Sequence, residues 1–147
     1  EMDLFAGGPY APFYCLTREF FEAARARLAP SGLVAMNVYA PGGDGTLAGS
    51  VVATMNAVFP AVFEVPLAEE RVLLAFREPV SLDALRRRLA APGLPGELSA
   101  IAREAAVLLR PAGAGRAPIL TDDRAPVEPL TRGMIERRAR RPASLSG

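Results

Sequence analysis

The sequence predicts an α/β fold in which an open sheet with covering helices ends in an antiparallel hairpin. Three observations support this prediction. A short apolar run at residues 33–39 stands between turn residues, as a strand buried on both faces does. Apolar residues recur at helical spacing before and after it. Two further strand-like runs follow, and only about five residues, 66–70, join them, which is too few for a parallel crossover.

The first helix is predicted from Arg18 to about Leu28. Thr17 supplies the hydroxyl that suits an N-cap, and Pro30 and Gly32 end the helix before the strand at residues 33–39. If residues 2–5 are the end of an earlier strand, these elements form a right-handed strand–helix–strand unit. Its two strands are then parallel.

The remaining elements complete the sheet and extend beyond it. The pattern predicts helices at residues 47–59, 81–90, 98–109 and 127–138, and an antiparallel pair of strands at residues 61–65 and 71–76. A parallel sheet finished by an antiparallel hairpin is typical of the Rossmann-like sheet of S-adenosylmethionine-dependent methyltransferases.

The sequence lacks one feature of a complete nucleotide-binding sheet. No Gly-x-Gly-x-x-Gly turn follows a strand, so the usual turn that holds a nucleotide is not found. We therefore expect residues 1–147 to be the C-terminal portion of one such domain, with residues 137–147 as a disordered tail.

Composition excludes several classes of function. The 147 residues carry a net charge of +1, which favours neither nucleic acid nor an anionic membrane as a partner. No histidine is present, so catalytic triads and His-ligated zinc are excluded, and we expect no metal site. The single cysteine, Cys15, is interpreted as a packing residue in a reducing compartment. No run approaches the roughly 20 apolar residues of a membrane span, and a cytoplasmic location is predicted.

Two sequence blocks carry the most specific information. Residues 120–128 read Leu-Thr-Asp-Asp-Arg-Ala-Pro-Val-Glu, with three carboxylates and one proline. Residues 16–21 read Leu-Thr-Arg-Glu-Phe-Phe, and a Pro-Ser-Gly-Leu turn at residues 30–33 follows them. On these blocks the chain resembles the spermidine synthase-like proteins, from Met2 to about Glu128.

The resemblance implies a transferase that moves an aminopropyl group from decarboxylated S-adenosylmethionine to a diamine such as putrescine. Carboxylates suit this reaction because they hold an ammonium group and accept a proton from the attacking amine. The family pattern Asp-x-x-Asp-Pro begins at Asp3, but Ala6 stands at its second carboxylate and the proline comes only at Pro9. Asp3 is accordingly the predicted catalytic and co-substrate-binding residue, and a carboxylate that caps loop amides is its structural alternative.

Five further residues are predicted to bind substrate. Tyr10 and Tyr14 flank the loop after Asp3 and offer apolar walls with hydroxyl groups. Asp122, Asp123 and Glu128 supply carboxylates from the second block. Their structural alternatives are a turn cap before Pro126 for the aspartates, and for Glu128 the favoured position of an acid at a helix start.

Two other functions remain open for the sequence. A methyltransferase of the same fold, acting on S-adenosylmethionine and another small molecule, would explain Ala6. A non-catalytic interaction domain is the second alternative. A homodimer through the hairpin edge or the helices after Ser81 is a further expectation.

Overall fold

The computed structural model describes residues 12–41, 45–91, 93, 95–113 and 115–140. In this part of the chain a 3-10 turn over Phe13–Cys15 precedes the following elements in order: α1 (Arg18–Arg27), β1 (Leu33–Tyr39), α2 (Thr46–Val58), β2 (Ala61–Pro66), β3 (Glu70–Phe76), α3 (Leu82–Ala90), α4 (Gly96–Leu108), β4 (Arg110–Pro111) and α5 (Val127–Arg140). The helices and strands predicted from residue 18 onward are confirmed to within about two residues at each end, the usual uncertainty of element boundaries.

The entry into β1 forms as the sequence predicts. The Thr17 side chain accepts a hydrogen bond from the Phe20 amide at 3.3 Å and so caps α1. After the helix, the Gly32 amide donates to Ala29 O at 2.8 Å and closes a turn. A Cβ atom at Gly32 would lie 2.9 Å from Ala29 O, so this turn requires glycine.

The four strands form one sheet in the order β1-β3-β2-β4. β3 pairs antiparallel with β2 on one side and with β1 on the other, so the predicted hairpin is confirmed. β1 and β2 therefore run in the same direction, separated by β3. Every pairing among the described strands is antiparallel. The predicted parallel neighbour of β1, ending at Asp3, lies outside the described residues.

One prediction about β1 is wrong. Its apolar sequence indicated a strand buried on both faces, yet Leu33, Ala35 and Asn37 are exposed and only the alternate side chains are covered. An apolar strand is buried on both faces only where helices cover both faces of the sheet. The described helices cover one face of β1, so the other face is exposed.

The sheet separates two cores. On one face, α1, α2 and α5 enclose the larger core, to which the sheet contributes Val38, Val62, Leu73 and Ala75. On the other face, α3 and α4 pack over Phe63 and Val65 of β2. The alternation of side chains along β2 thus supplies both cores.

A buried carboxylate forms ion pairs between the strands near the β4 edge of the sheet. Glu64 of β2 is 3% exposed, and its carboxylate meets Arg71 Nη1 at 3.2 Å and Arg110 Nε at 2.7 Å. Since Arg71 belongs to β3 and Arg110 to β4, one side chain connects three strands. Both carboxylate oxygens are paired, as a buried charge requires.

The C-terminal helix corrects a second prediction. α5 packs on α2 and continues through Arg140, so residues 137–140, the start of the predicted disordered tail, are helical. Residues 141–147 lie outside the described part of the chain. Among the described residues, no helix is long and apolar enough to cross a membrane.

Candidate functional site

The N-terminus of α1 is the centre of the candidate site. Only residues 28–32 separate the C-terminus of α1 from the start of β1, so the helix begins at the end of the sheet where β1 finishes. Ligands of open α/β sheets bind beyond the carboxyl ends of strands. Every pairing among the described strands is antiparallel, so this placing of a ligand at the start of α1 rests on the predicted parallel neighbour of β1.

The block at residues 120–128 docks against this helix start. Leu120 is fully buried, and its carbonyl accepts from the Arg18 amide at 2.9 Å. Its own amide donates to Thr54 Oγ1 of α2 at 2.9 Å. Leu120 thus joins α1 to α2 and satisfies an amide that the first turn of α1 leaves without a helical partner.

Glu19 makes a further contact between the block and α1. Its carboxylate accepts from the Asp122 amide at 3.1 Å. The hydrogen bond from its own backbone amide is the largest cause that lowers the pKa of Glu19; desolvation, which raises it, comes second, and the Asp122 amide and the nearby Arg18 guanidinium lower the pKa further. Glu19 is therefore ionised at neutral pH and holds the block at the helix start.

Three of the predicted substrate-binding residues meet at this end of α1. Tyr14 is 58% exposed, and its carbonyl accepts from Thr17 Oγ1 at 3.3 Å, which places it immediately before the helix. Asp122 and Asp123 are exposed on the turn that Glu19 holds. The start of α1 therefore has Tyr14 directly before it and the exposed Asp122 and Asp123 on the turn that Glu19 binds.

The other predicted site residues are placed differently. Glu128 is exposed in the first turn of α5, on a separate element that packs against α2. That position is the one favoured by its structural alternative, an acid at a helix start. Asp3 and Tyr10 lie outside the described residues, so the predicted catalytic residue remains a prediction.

The aspartates do not cap the turn before Pro126. Backbone groups close the turn instead: the Thr121 amide donates to Arg124 O at 3.2 Å, and the Arg124 amide donates to Thr121 O at 2.9 Å. No hydrogen bond to either aspartate carboxylate is formed within the described residues. This structural alternative is therefore wrong, and both carboxylates face solvent.

The described part of the chain contains neither a metal-binding cluster nor a reactive thiol. It contains no group of three or more His, Cys, Asp or Glu side chains that could hold a metal ion. Cys15 is free and buried, and burial raises the pKa of its thiol. A protonated, buried thiol is a poor nucleophile, which agrees with the packing role predicted for this residue.

Sequence reasoning missed the residues that assemble the surface. Glu19 lies in the block at residues 16–21. Its position as an acid in the first turn of a helix is the one sequence feature that could have indicated a role there. Thr54 lies in an apolar helix, and no sequence pattern indicates that its hydroxyl accepts from the Leu120 amide, because the two residues are 66 positions apart. Such a contact is set by tertiary packing alone.

Comparison with solved structures supports the resemblance to spermidine synthase-like proteins. No protein-family model matches the chain, and no curated protein sequence does. Among solved structures, the chain is similar to a probable spermidine synthase from Corynebacterium glutamicum ATCC 13032, with 25% sequence identity and a TM-score of 0.54. The match covers 82% of this chain and 45% of that chain, so this chain spans less than half the length of its structural neighbour. The predicted resemblance is confirmed: the chain is related in structure to a spermidine synthase-like protein.

Proposed function

We propose that this chain is part of an enzyme that transfers an aminopropyl group from decarboxylated S-adenosylmethionine to a diamine such as putrescine. The similarity to a probable spermidine synthase over 82% of the chain carries this proposal. The exposed Asp122 and Asp123 on the turn bound by Glu19, together with Tyr14 directly before α1, support it, since acids and an aromatic ring suit a cationic, partly apolar chain.

The proposed reaction needs a deprotonated amine and a carboxylate. The amine lone pair attacks the carbon bonded to the sulfonium, a new C–N bond forms, and the C–S bond breaks with its electron pair moving to sulfur. The amine proton passes to a carboxylate, for which Asp3 is the proposed acceptor. Asp122 and Asp123 are proposed to bind the distal ammonium of the diamine, and Glu128 to add negative charge from α5. No metal takes part in this scheme.

Tyr10 and Tyr14 are assigned the walls of the diamine site. An aromatic side chain offers an apolar face to the methylene groups and a hydroxyl to an amine. The Phe13 and Tyr14 rings contact edge to face, with centroids 5.6 Å apart, so Phe13 supports the orientation of Tyr14. The free cysteine fits the reducing cytoplasm as the setting of this reaction.

A methyltransferase of the same fold is the second candidate. Ala6 replaces the second carboxylate of the family pattern, and this replacement removes one of the groups that select a diamine. Mass spectrometry separates the two functions when the protein is incubated with putrescine and either S-adenosylmethionine or its decarboxylated form. An aminopropyl adduct on the amine supports the proposal, whereas methylation of an acceptor by S-adenosylmethionine supports the alternative.

The Asp3→Asn variant tests the role of the carboxylate. Asparagine keeps the size of the side chain but cannot accept the proton, so we expect the transfer rate to fall about 10²- to 10⁴-fold with little change in nucleotide affinity. Asp122→Asn, whose carboxylate has no structural partner among the described residues, should raise the KM for the diamine without lowering the melting temperature. Wild-type transfer by Asp3→Asn would remove the catalytic assignment.

A further inference from the structure

An open cleft lies between the C-termini of α1 and α2, at the other end of α1 from Asp122 and Asp123. Its volume is about 380 Å³, within the range of about 300–1,000 Å³ that small-molecule sites occupy. Arg25 of the cleft is about 10 Å along α1 from Arg18, at the rise of an α-helix. The residues that line the cleft are Glu22, Arg25, Ala26, Ala57, Val58 and Arg77.

The two arginines of the cleft interact with the ends of the helices. α2 has no basic residue in its own last turn, and Arg25 Nη1 of α1 donates to Val58 O of α2 at 2.9 Å. Arg77, directly after β3, donates through Nη1 to Leu28 O, the C-cap carbonyl of α1. Arg25 Nη2 also donates to Arg77 O at 3.4 Å, so the two residues are neighbours. Each guanidinium therefore lies at the negative end of a helix dipole.

The helix ends do not balance the charge of these arginines. A helix C-terminus carries about half a negative charge, so two guanidiniums beside two helix ends leave about one positive charge. Within the described residues, no carboxylate forms an ion pair with Arg25 or Arg77, and Glu22 of the cleft lies 3.7 Å from Arg18 Nε instead. Most N–H groups of the two guanidiniums also have no acceptor among these residues. The cleft thus combines excess positive charge with free hydrogen-bond donors.

We propose that this cleft binds the phosphate group of a small molecule. The planar guanidinium of arginine holds a phosphate through paired hydrogen bonds. A phosphate monoester carries nearly two negative charges at neutral pH, so it balances two arginines better than a single carboxylate does. Ala26 and Ala57 add small apolar side chains against which the rest of such a molecule can pack. The limited volume of the cleft and the carboxylate of Glu22 oppose a long polyanion such as nucleic acid.

Titration of the intact protein with inorganic phosphate tests this cleft. Two-dimensional proton–nitrogen NMR spectra at constant ionic strength should show saturable shifts of the Ala26, Ala57 and Arg77 amides, with a Kd of about 1 mM or tighter. Acetate, with a single negative charge, should bind at least about tenfold more weakly. Glycerol phosphate, an organic monoester, should bind at least as tightly as inorganic phosphate, because its carbon chain can contact the apolar side chains of the cleft.

Charge-neutral variants provide the more specific test. Arg25→Gln removes one guanidinium but keeps an N–H group that can donate to Val58 O, and it should weaken phosphate binding about tenfold or more. Arg27→Gln is the matched control, because Arg27 is in the same helix turn and its Nη1 donates to Ala23 O of its own helix at 3.1 Å. That variant should bind within about twofold of the wild type. Glu22→Gln removes the negative charge of the cleft and should tighten binding about two- to threefold.

Melting temperatures verify that the variants fold. Arg25→Lys is a second variant at the same position, which keeps the charge but loses the planar fork, and it should weaken phosphate binding about threefold or more. The absence of saturable shifts up to about 20 mM phosphate would overturn the proposal. Equal weakening by Arg25→Gln and Arg27→Gln would also overturn it, because phosphate would then respond only to the general charge of this end of α1.

Discussion

β1 and β2 show how the position of a strand in the sheet decides whether its apolar side chains are buried. β1 and β2 are both apolar strands that run in the same direction on either side of β3. β2 has hydrogen-bonded neighbours on both sides, and four consecutive side chains, residues 62–65, are buried. β1 pairs only with β3 among the described strands, and alternate side chains are exposed.

The two edges of the described sheet also differ in how they are protected against pairing with another strand. On the β2 side, a two-residue strand with Pro111 ends the sheet, and helices cover both faces; short edges with proline oppose pairing with another chain. On the β1 side, the described sheet ends with a seven-residue strand that contains neither a proline nor a charged side chain. Within the described residues, the β2 side of the sheet ends on a protected edge and the β1 side on an unprotected one.

The largest contrast between the two sides should appear on truncating apolar side chains. Phe63 of β2 is 5% exposed and contacts Phe76 edge to face, so Phe63→Ala should destabilise the fold by about 3–5 kcal/mol. Leu33 of β1 is 39% exposed, so Leu33→Ala should cost less than about 1 kcal/mol. Urea denaturation measures both values. Equal losses would show that the β1 face is covered in solution.

A second contrast concerns charge. Glu64→Ala leaves Arg71 without its carboxylate in a site where only 20% of the arginine side chain is exposed, and we expect a loss of about 3 kcal/mol. Glu70→Ala is the matched control on the open side. Glu70 accepts an exposed hydrogen bond from Asn37 Nδ2 at 2.8 Å, so its loss should cost under about 0.5 kcal/mol. A small effect of Glu64→Ala would mean that water already screens the buried pair.

A third prediction concerns nucleotide binding at the open side. No Gly-x-Gly-x-x-Gly turn follows a strand in this sequence, so we expect the contacts that hold the adenosine of the co-substrate to be incomplete. We expect the 147-residue chain alone to bind decarboxylated S-adenosylmethionine with a Kd no tighter than about 1 mM. A micromolar Kd by titration calorimetry on the monomer would show that the described strands already hold a complete site.

The sequence predicts local structure well and its assembly only in part. Caps such as Thr17 and Ser81 and the short β2–β3 connection are local signals, and they locate the helices and the hairpin. The exposure of β1 could not be read from its residues, because burial depends on what covers the strand. The position of Asp122 at the start of α1 depends in part on Leu120, whose two backbone contacts reach across about 66 to 102 residues of sequence.

The smallest predicted effect is the pH dependence of the contact between Glu19 and the Asp122 turn. The folded pKa of Glu19 lies below its ordinary value of 4.5, chiefly because its own backbone amide donates to the carboxylate. The ionised form therefore favours the folded state at neutral pH, and this contribution is lost as the pH falls below 4.5 through the folded pKa.

Glu19→Gln keeps an oxygen that can accept from the Asp122 amide but removes the titrating charge. Urea denaturation from about pH 7 to about pH 3 should therefore give a shallower acid slope for Glu19→Gln than for the wild type. Glu136→Gln, on an exposed position of α5, is the control and should retain the wild-type slope. Since Glu19 joins the two sequence blocks beside β1, an unchanged slope in Glu19→Gln would mean that Leu120 alone holds the turn at the open side of the sheet.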